Sequence, residues 1–160
     1  MSDTKMLIVP KVRKYMSDSR YRKTRNYIIG RCLDVGSEWY RKGLVCCDKK
    51  PNDKRIKKED ALKLSYKDNS FDTVCCLETL EHTLNPVNAM LELKRVAKKR
   101  IIICIPLEPY FTIPRLLLLK GWNPEHLWAI TPAILKHYFG KPVHECQFKF
   151  RWYFAVWDIK

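Results

Sequence analysis

Six ionisable side chains stand just beyond apolar runs of this chain, where chemistry is usually done. Asp34 lies in Cys32-Leu-Asp-Val-Gly-Ser37, Asp48 follows it by 14 residues at the end of the next apolar run, and Asp60 comes after a charged loop. Glu78, Glu81 and His82 follow Phe71 to Leu77 directly. A carboxylate at a strand end can accept both hydroxyls of a ribose, which suits Asp48, and another can accept from an exocyclic amine, which suits Asp60. Together with Asp34 they fit a nucleoside with a free ribose and no phosphate beside it. Gly36 lets backbone approach such a ligand closely, because no Cβ intervenes. His82, with an ordinary imidazole pKa of about 6.5, is the side chain best suited to take a proton near neutrality. Glu78 is the second candidate, and His126 is a possible acceptor-site residue from a later loop. The bland alternative is that strand-end aspartates cap turns and that Glu81 and His82 brace their loop through hydrogen bonds.

Those residues need a scaffold, and the chain alternates short apolar runs with helical or loop segments, the pattern of an α/β fold with a mostly parallel sheet. Strands are expected at Arg31 to Val35, Leu44 to Cys47, Ala61 to Leu64 (the weakest pattern), Phe71 to Leu77 and Arg100 to Ile105. The last is almost wholly apolar, as a central strand covered on both faces should be. Helices are expected at Pro86 to Val96, capped by Asn85, and at Pro132 to Phe139, capped by Thr131 and ended by Gly140. Glu145 to Phe150 and Trp152 to Asp158 read as a closing antiparallel hairpin, with Trp152 and Trp157 filling core. Pro10 to Ile29 reads as a basic helical segment, broken near Ser17 to Ser19. In an open parallel sheet, ligands bind beyond the carboxyl ends of the strands, so the residues named above fall at one edge. Pro106 to Tyr110 and the tryptophans Trp122 and Trp128 are further candidates for that edge.

At 160 residues the chain fits a single domain, 1-160, with residues 1-30 as its basic N-terminal segment. Net charge is +14, of which residues 1 to 60 carry +9, from 17 Lys and Arg against 8 Asp and Glu. Such a field favours polyanions and acidic ligands, so nucleic-acid contact through the basic surface is possible on charge grounds. Tyr15, Arg20, Tyr21, Arg22 and Tyr27 interleave aromatics with cations, which could stack bases but equally describes a packing helix. No apolar run is long enough to span a bilayer and no secretory signal is evident, so the expectation is a cytoplasmic protein with no membrane association. Seven cysteines without a Cys-x-x-Cys pair suggest buried structural thiols rather than disulfides or a metal site.

The block Asp60-Ala-Leu-Lys-Leu-Ser-Tyr-Lys-Asp-Asn-Ser-Phe-Asp-Thr-Val-Cys-Cys-Leu-Glu-Thr-Leu-Glu-His82 resembles the middle of the class I S-adenosylmethionine-dependent methyltransferases, in particular the ubiquinone-biosynthesis-type and other small-molecule group. The likeness continues through Ile101-Ile-Ile-Cys-Ile-Pro106 and Pro124-Glu-His-Leu-Trp-Ala-Ile-Thr-Pro132, covering residues 30 to 140. It implies a Rossmann-like methyltransferase sheet with S-adenosylmethionine as cofactor. By the same resemblance, Asp34 and Gly36 lie beside the methionine end, Asp48 holds the ribose, Asp60 with the Ala61 backbone reads the adenine, and Leu77 sits beneath the cofactor. The methyl acceptor, a small molecule or a nucleic acid, is not identified by it.

The chain departs from the family at its glycine loop. Of the usual D-x-G-x-G-x-G only Gly36 survives, with Glu38 and Tyr40 at the other two places, and Gly36 to Leu44 is too short for the usual crossover helix. The helix N-terminus that would help hold a carboxylate is then missing, unless Ser37 and cations such as Arg41 and Lys42 replace it. Two readings follow: an active methyltransferase, and a methyltransferase-like binding module that has lost its cofactor and holds nucleic acid or protein through its basic half.

Overall fold

The computed structural model describes residues 20–107, 125–148 and 151–159. Expectations for the remaining residues, which include most of the basic N-terminal segment, Tyr15, Trp122 and Glu108 to Tyr110, lie outside the described part.

Seven strands form one sheet: β1 (Cys32–Val35), β2 (Val45–Asp48), β3 (Lys57–Lys58), β4 (Phe71–Leu77), β5 (Ala97–Pro106), β6 (His144–Phe148) and β7 (Trp152–Asp158). Their order is β3-β2-β1-β4-β5-β7-β6. The first five pair in parallel, and β7 joins antiparallel to both β5 and β6. This is the mostly parallel, Rossmann-like α/β sheet with a C-terminal antiparallel hairpin. Strand order reverses between β1 and β4, the switch point at which such sheets open a crevice.

Residues Ile101 to Ile105 of β5 are buried, flanked by β4 and β7, and the continuous apolar run makes sense because both faces are covered. Helix α1 (Pro86–Val96) buries Ala89, Met90, Leu93 and Val96, its Asn85 cap accepting from the Asn88 N–H. Helix α2 (Pro132–Phe139) begins on Thr131, whose hydroxyl accepts from the Ile134 N–H, and stops at Gly140 at φ 80°. Trp157 is fully buried and donates its indole N–H to the Gly140 carbonyl at 2.9 Å, while Trp152 is nearly so; both tryptophans of the hairpin are core.

One strand is not where the hydrophobic pattern puts it. Ala61 to Leu64 is not a strand; it carries only an isolated bridge from Asp60 to Lys63, and the edge strand is instead the pair Lys57–Lys58. Two exposed lysines have no apolar period to detect, and they are extended because β2 offers them its free edge. No helix lies between Gly36 and Leu44, and the first crossover is a short loop. Residues 20–25 are helical, and Tyr21 and Tyr27 are used in packing: Arg41 lies over the Tyr21 ring at 4.7 Å, and Tyr27 stacks on His144 at 4.8 Å. All seven cysteines are free, and six are buried. Burial pushes the Cys47 thiol up to about 12, leaving it protonated and unreactive near neutrality.

Candidate functional site

The carboxyl ends of β1, β2, β3 and β4 open onto a single cavity of about 540 Å³, within the range of roughly 300 to 1,000 Å³ usual for small-molecule sites. Gly36 comes from the end of β1, Asp48 from β2, Asp60 and Ala61 from the turn after β3, and Glu78 and His82 from the segment after β4. Residues far apart in sequence meet here because parallel strands all end on the same side.

The β2–β3 end of the cavity is open. Asp48 is half-buried, and its Oδ1 accepts from the Lys50 N–H at 2.6 Å. Asp60 accepts from the Leu62 N–H at 3.0 Å and pairs with Lys49 at 2.9 Å. The Leu62 N–H and then Lys49 hold the Asp60 carboxyl below the usual carboxylate range, so it is charged at neutral pH. Beneath them Glu59 takes two hydrogen bonds from Ser65 and an ion pair from Lys57. Burial pushes Glu59 up, but these contacts outweigh it and hold its carboxyl below the ordinary value.

The β1 end is closed upon itself. Asp34 and Ser37 are buried, and neither lines the cavity. The Asp34 carboxylate is ion-paired with Arg41 and lies 2.6 Å from the Ser37 hydroxyl. The N–H groups of Gly36 and Ser37 both donate to the Cys47 carbonyl at 2.9 Å, so these backbone donors tie the loop to β2. Gly36 has φ 75°, and a Cβ there would fall 2.1 Å from the Thr79 hydroxyl, so glycine is required by both conformation and space. Leu77 is buried in the sheet layer with Cys75, Ile102 and Cys104 rather than on the cavity wall.

The β4 side gathers the groups capable of proton chemistry. Glu78, at φ 52°, lines the cavity and is ion-paired with Arg20 of the N-terminal helical segment. A single 3-10 turn, Leu80–His82, places His82 on the wall, exposed, and Glu81 behind it, buried. His82 Nδ1 lies 2.7 Å from the Glu125 carbonyl, which fixes Nδ1 as the protonated nitrogen and leaves Nε2 to accept. The His82 and His126 rings meet edge to face at 4.7 Å. Glu81 is the member whose importance sequence reasoning understates: acidic and fully buried, it is a signal visible only in three dimensions. Trp128 is exposed, its indole N–H donating to the Thr83 carbonyl at 3.0 Å.

A family model described as a methyltransferase domain matches residues 33–105. Over that span, less than half of its length, the chain is similar to a methyltransferase domain. Solved structures repeat its architecture over nearly the whole chain. A protein from Pyrococcus horikoshii OT3 is 16% identical, with 95% of this chain and 92% of that one covered at a TM-score of 0.64. A SAM-dependent methyltransferase from Thermotoga maritima, described as a possible histamine N-methyltransferase, is 15% identical, covering 93% and 96% at a TM-score of 0.67. Magnesium protoporphyrin IX methyltransferase from Synechocystis PCC 6803, solved with bound SAH, is 14% identical, covering 92% and 83% at 0.62. No curated protein matches the sequence. Among the described residues no helix is long and apolar enough to cross a membrane.

Proposed function

We propose that the cavity holds S-adenosylmethionine and that the chain transfers its methyl group to a hydroxyl or amine of a small acceptor with an apolar body. The observation that carries this reading is the single cavity joining Asp48, Asp60 and the Ala61 backbone at one end to Glu78 and His82 at the other. The residues fit the cofactor well at its nucleoside end. There Asp48 would take the ribose hydroxyls in charge-assisted hydrogen bonds, and Asp60 with Ala61 would meet the adenine. They fit it less closely at its methionine end, where Asp34 and Ser37 are turned inward and no crossover helix presents its N-terminus. Bound, the cofactor supplies an electrophilic methyl on a sulfonium.

The protein's part is positioning and charge, which carry most of the barrier reduction in such a displacement. His82 Nε2 is placed to take the acceptor's proton, with Glu78, at the same end of the cavity, as the second candidate. The acceptor end carries Glu125, Glu78 paired with Arg20, and exposed Leu84, with Leu127 and Trp128 exposed on the segment that follows Glu125, which favours an uncharged or apolar acceptor over a phosphate at that point. Nucleic-acid contact, if made, belongs to the opposite edge, where Lys49, Lys50, Lys57 and Lys58 are exposed. It would weaken steeply with salt as counterions are released.

Calorimetric titration with S-adenosylhomocysteine tests the reading. Wild type should bind saturably, and Asp48→Ala should lose tens- to hundreds-fold in affinity, about 2 to 4 kcal/mol. Absence of binding at millimolar ligand, or an Asp48→Ala variant that binds as wild type does, overturns it.

A further inference from the structure

From the 3-10 turn after β4 and the loop that packs on it, we infer a divalent transition-metal site formed by Glu81, His82 and His126. A carboxylate oxygen of Glu81 and one ring nitrogen of each histidine all lie within 4.8 Å of one another. Ligands sharing a zinc-sized ion stand roughly 3.3 Å apart, given bonds of about 2.0 to 2.2 Å, so modest side-chain rotations close the set.

Three features set this cluster apart from a chance meeting of polar side chains. First, the two segments are fastened to each other by backbone. The Leu127 and Trp128 N–H groups both donate to the Glu81 carbonyl, at 2.8 and 3.3 Å, which fixes His126 opposite Glu81 across 45 positions of sequence. Second, the Glu125 carbonyl at His82 Nδ1 directs Nε2 outward, the orientation by which a second group usually aims a ligating imidazole. Third, Glu81 is fully buried, and a carboxylate held away from water binds a metal cation with little competition from solvent. Two imidazoles and one carboxylate suit Zn²⁺, Co²⁺ or Mn²⁺ better than Mg²⁺ or Ca²⁺, which take mainly oxygen.

The ion would lie at the acceptor end of the cavity, since His82 is on its wall. Its catalytic use rests on the methyl-transfer reading above; its binding does not. With the ion bound, His82 Nε2 is a ligand and no longer a base. An acceptor hydroxyl on the open coordination position would become more acidic and release its proton to solvent before its oxygen takes the methyl.

Titration of the full chain with Co²⁺, followed by visible absorbance, and with Zn²⁺, followed by calorimetry, tests the site. One equivalent should bind saturably. His126→Ala, a change at a partly exposed loop position, should weaken binding at least tenfold, while His137→Ala on α2 leaves it unchanged. Glu81→Gln should weaken it comparably, with its melting temperature measured to separate ligand loss from unfolding. Binding that survives His126→Ala, a thiolate charge-transfer band from the cysteines, or no one-equivalent binding at all overturns the proposal. Titration with S-adenosylhomocysteine is run separately on the same samples. Loss of that binding with Co²⁺ binding intact sinks the methyltransferase reading and leaves the metal site standing; the reverse result does the opposite.

Discussion

The two ends of the cleft solve the same electrostatic problem in opposite ways. At the β1 end, Asp34 is buried and neutralised by Arg41 within the protein, and the loop's backbone donors are given to Cys47. At the β2–β3 end, Asp48 and Asp60 remain on the cavity wall, and the Lys49 partner of Asp60 is itself exposed. One end has become structure and the other has stayed available to a ligand. The comparison shows that a carboxylate at a strand terminus is not by itself a binding group. What decides is whether the following loop brings a cation back over it.

Arg41→Ala should test that contrast most severely. It would leave Asp34 charged and buried without its partner, at a cost of about 3 to 5 kcal/mol, whereas Lys49→Ala, at an exposed pair, should cost about 1 kcal/mol or less. Urea denaturation of the two variants measures both; similar losses would mean that the two ends are not different in kind.

A smaller effect separates two glycines of the same short crossover. Gly36→Ala combines positive φ with a clash against Thr79 and should cost about 1 to 3 kcal/mol, lowering ligand affinity as the loop shifts. Gly43→Ala has open space around it, so only the strain of φ 88° remains, about 1 kcal/mol. Thermal melts that rank Gly43→Ala as the more damaging change would contradict the close packing of Gly36 on Thr79.

The mildest test uses pH. Glu59 has its carboxyl held below the ordinary value in the folded chain, so it contributes stability that is complete above its unfolded value of about 4.3 and disappears as pH falls through the folded value. The stability gap between wild type and Glu59→Gln should therefore be larger at pH 7 than at pH 3. A gap that stays constant would show that Ser65 and Lys57 do not favour the charged form.

Much of the scaffold was legible in the sequence because it rests on local rules. β4 and both helices have the expected bounds, since continuous burial, Asn85 and Thr131 caps and the Gly140 stop are each encoded within a few residues. The shortened crossover could be read for a similar reason, as the seven residues between Gly36 and Leu44 cannot cross a sheet and return as a helix. The strand-end positions of Asp48, Asp60, Glu78 and His82 followed from the strands, and the structure gathers these four around one cavity.

What only the tertiary structure decided are the pairings made across distance. β3 is extended because β2 offers an edge, which no pattern within Lys57–Lys58 contains. Arg41 turns Asp34 and Ser37 inward, though their spacing alone allows them to face a ligand. Glu81 meets His126 through a loop fastened by hydrogen bonds to a carbonyl, a contact that leaves no mark on residue type. Burial period, capping and chain reach are written along a segment, so sequence determines them. Which charge a carboxylate meets depends on where a second segment is held, and that is settled only when the whole sheet has closed.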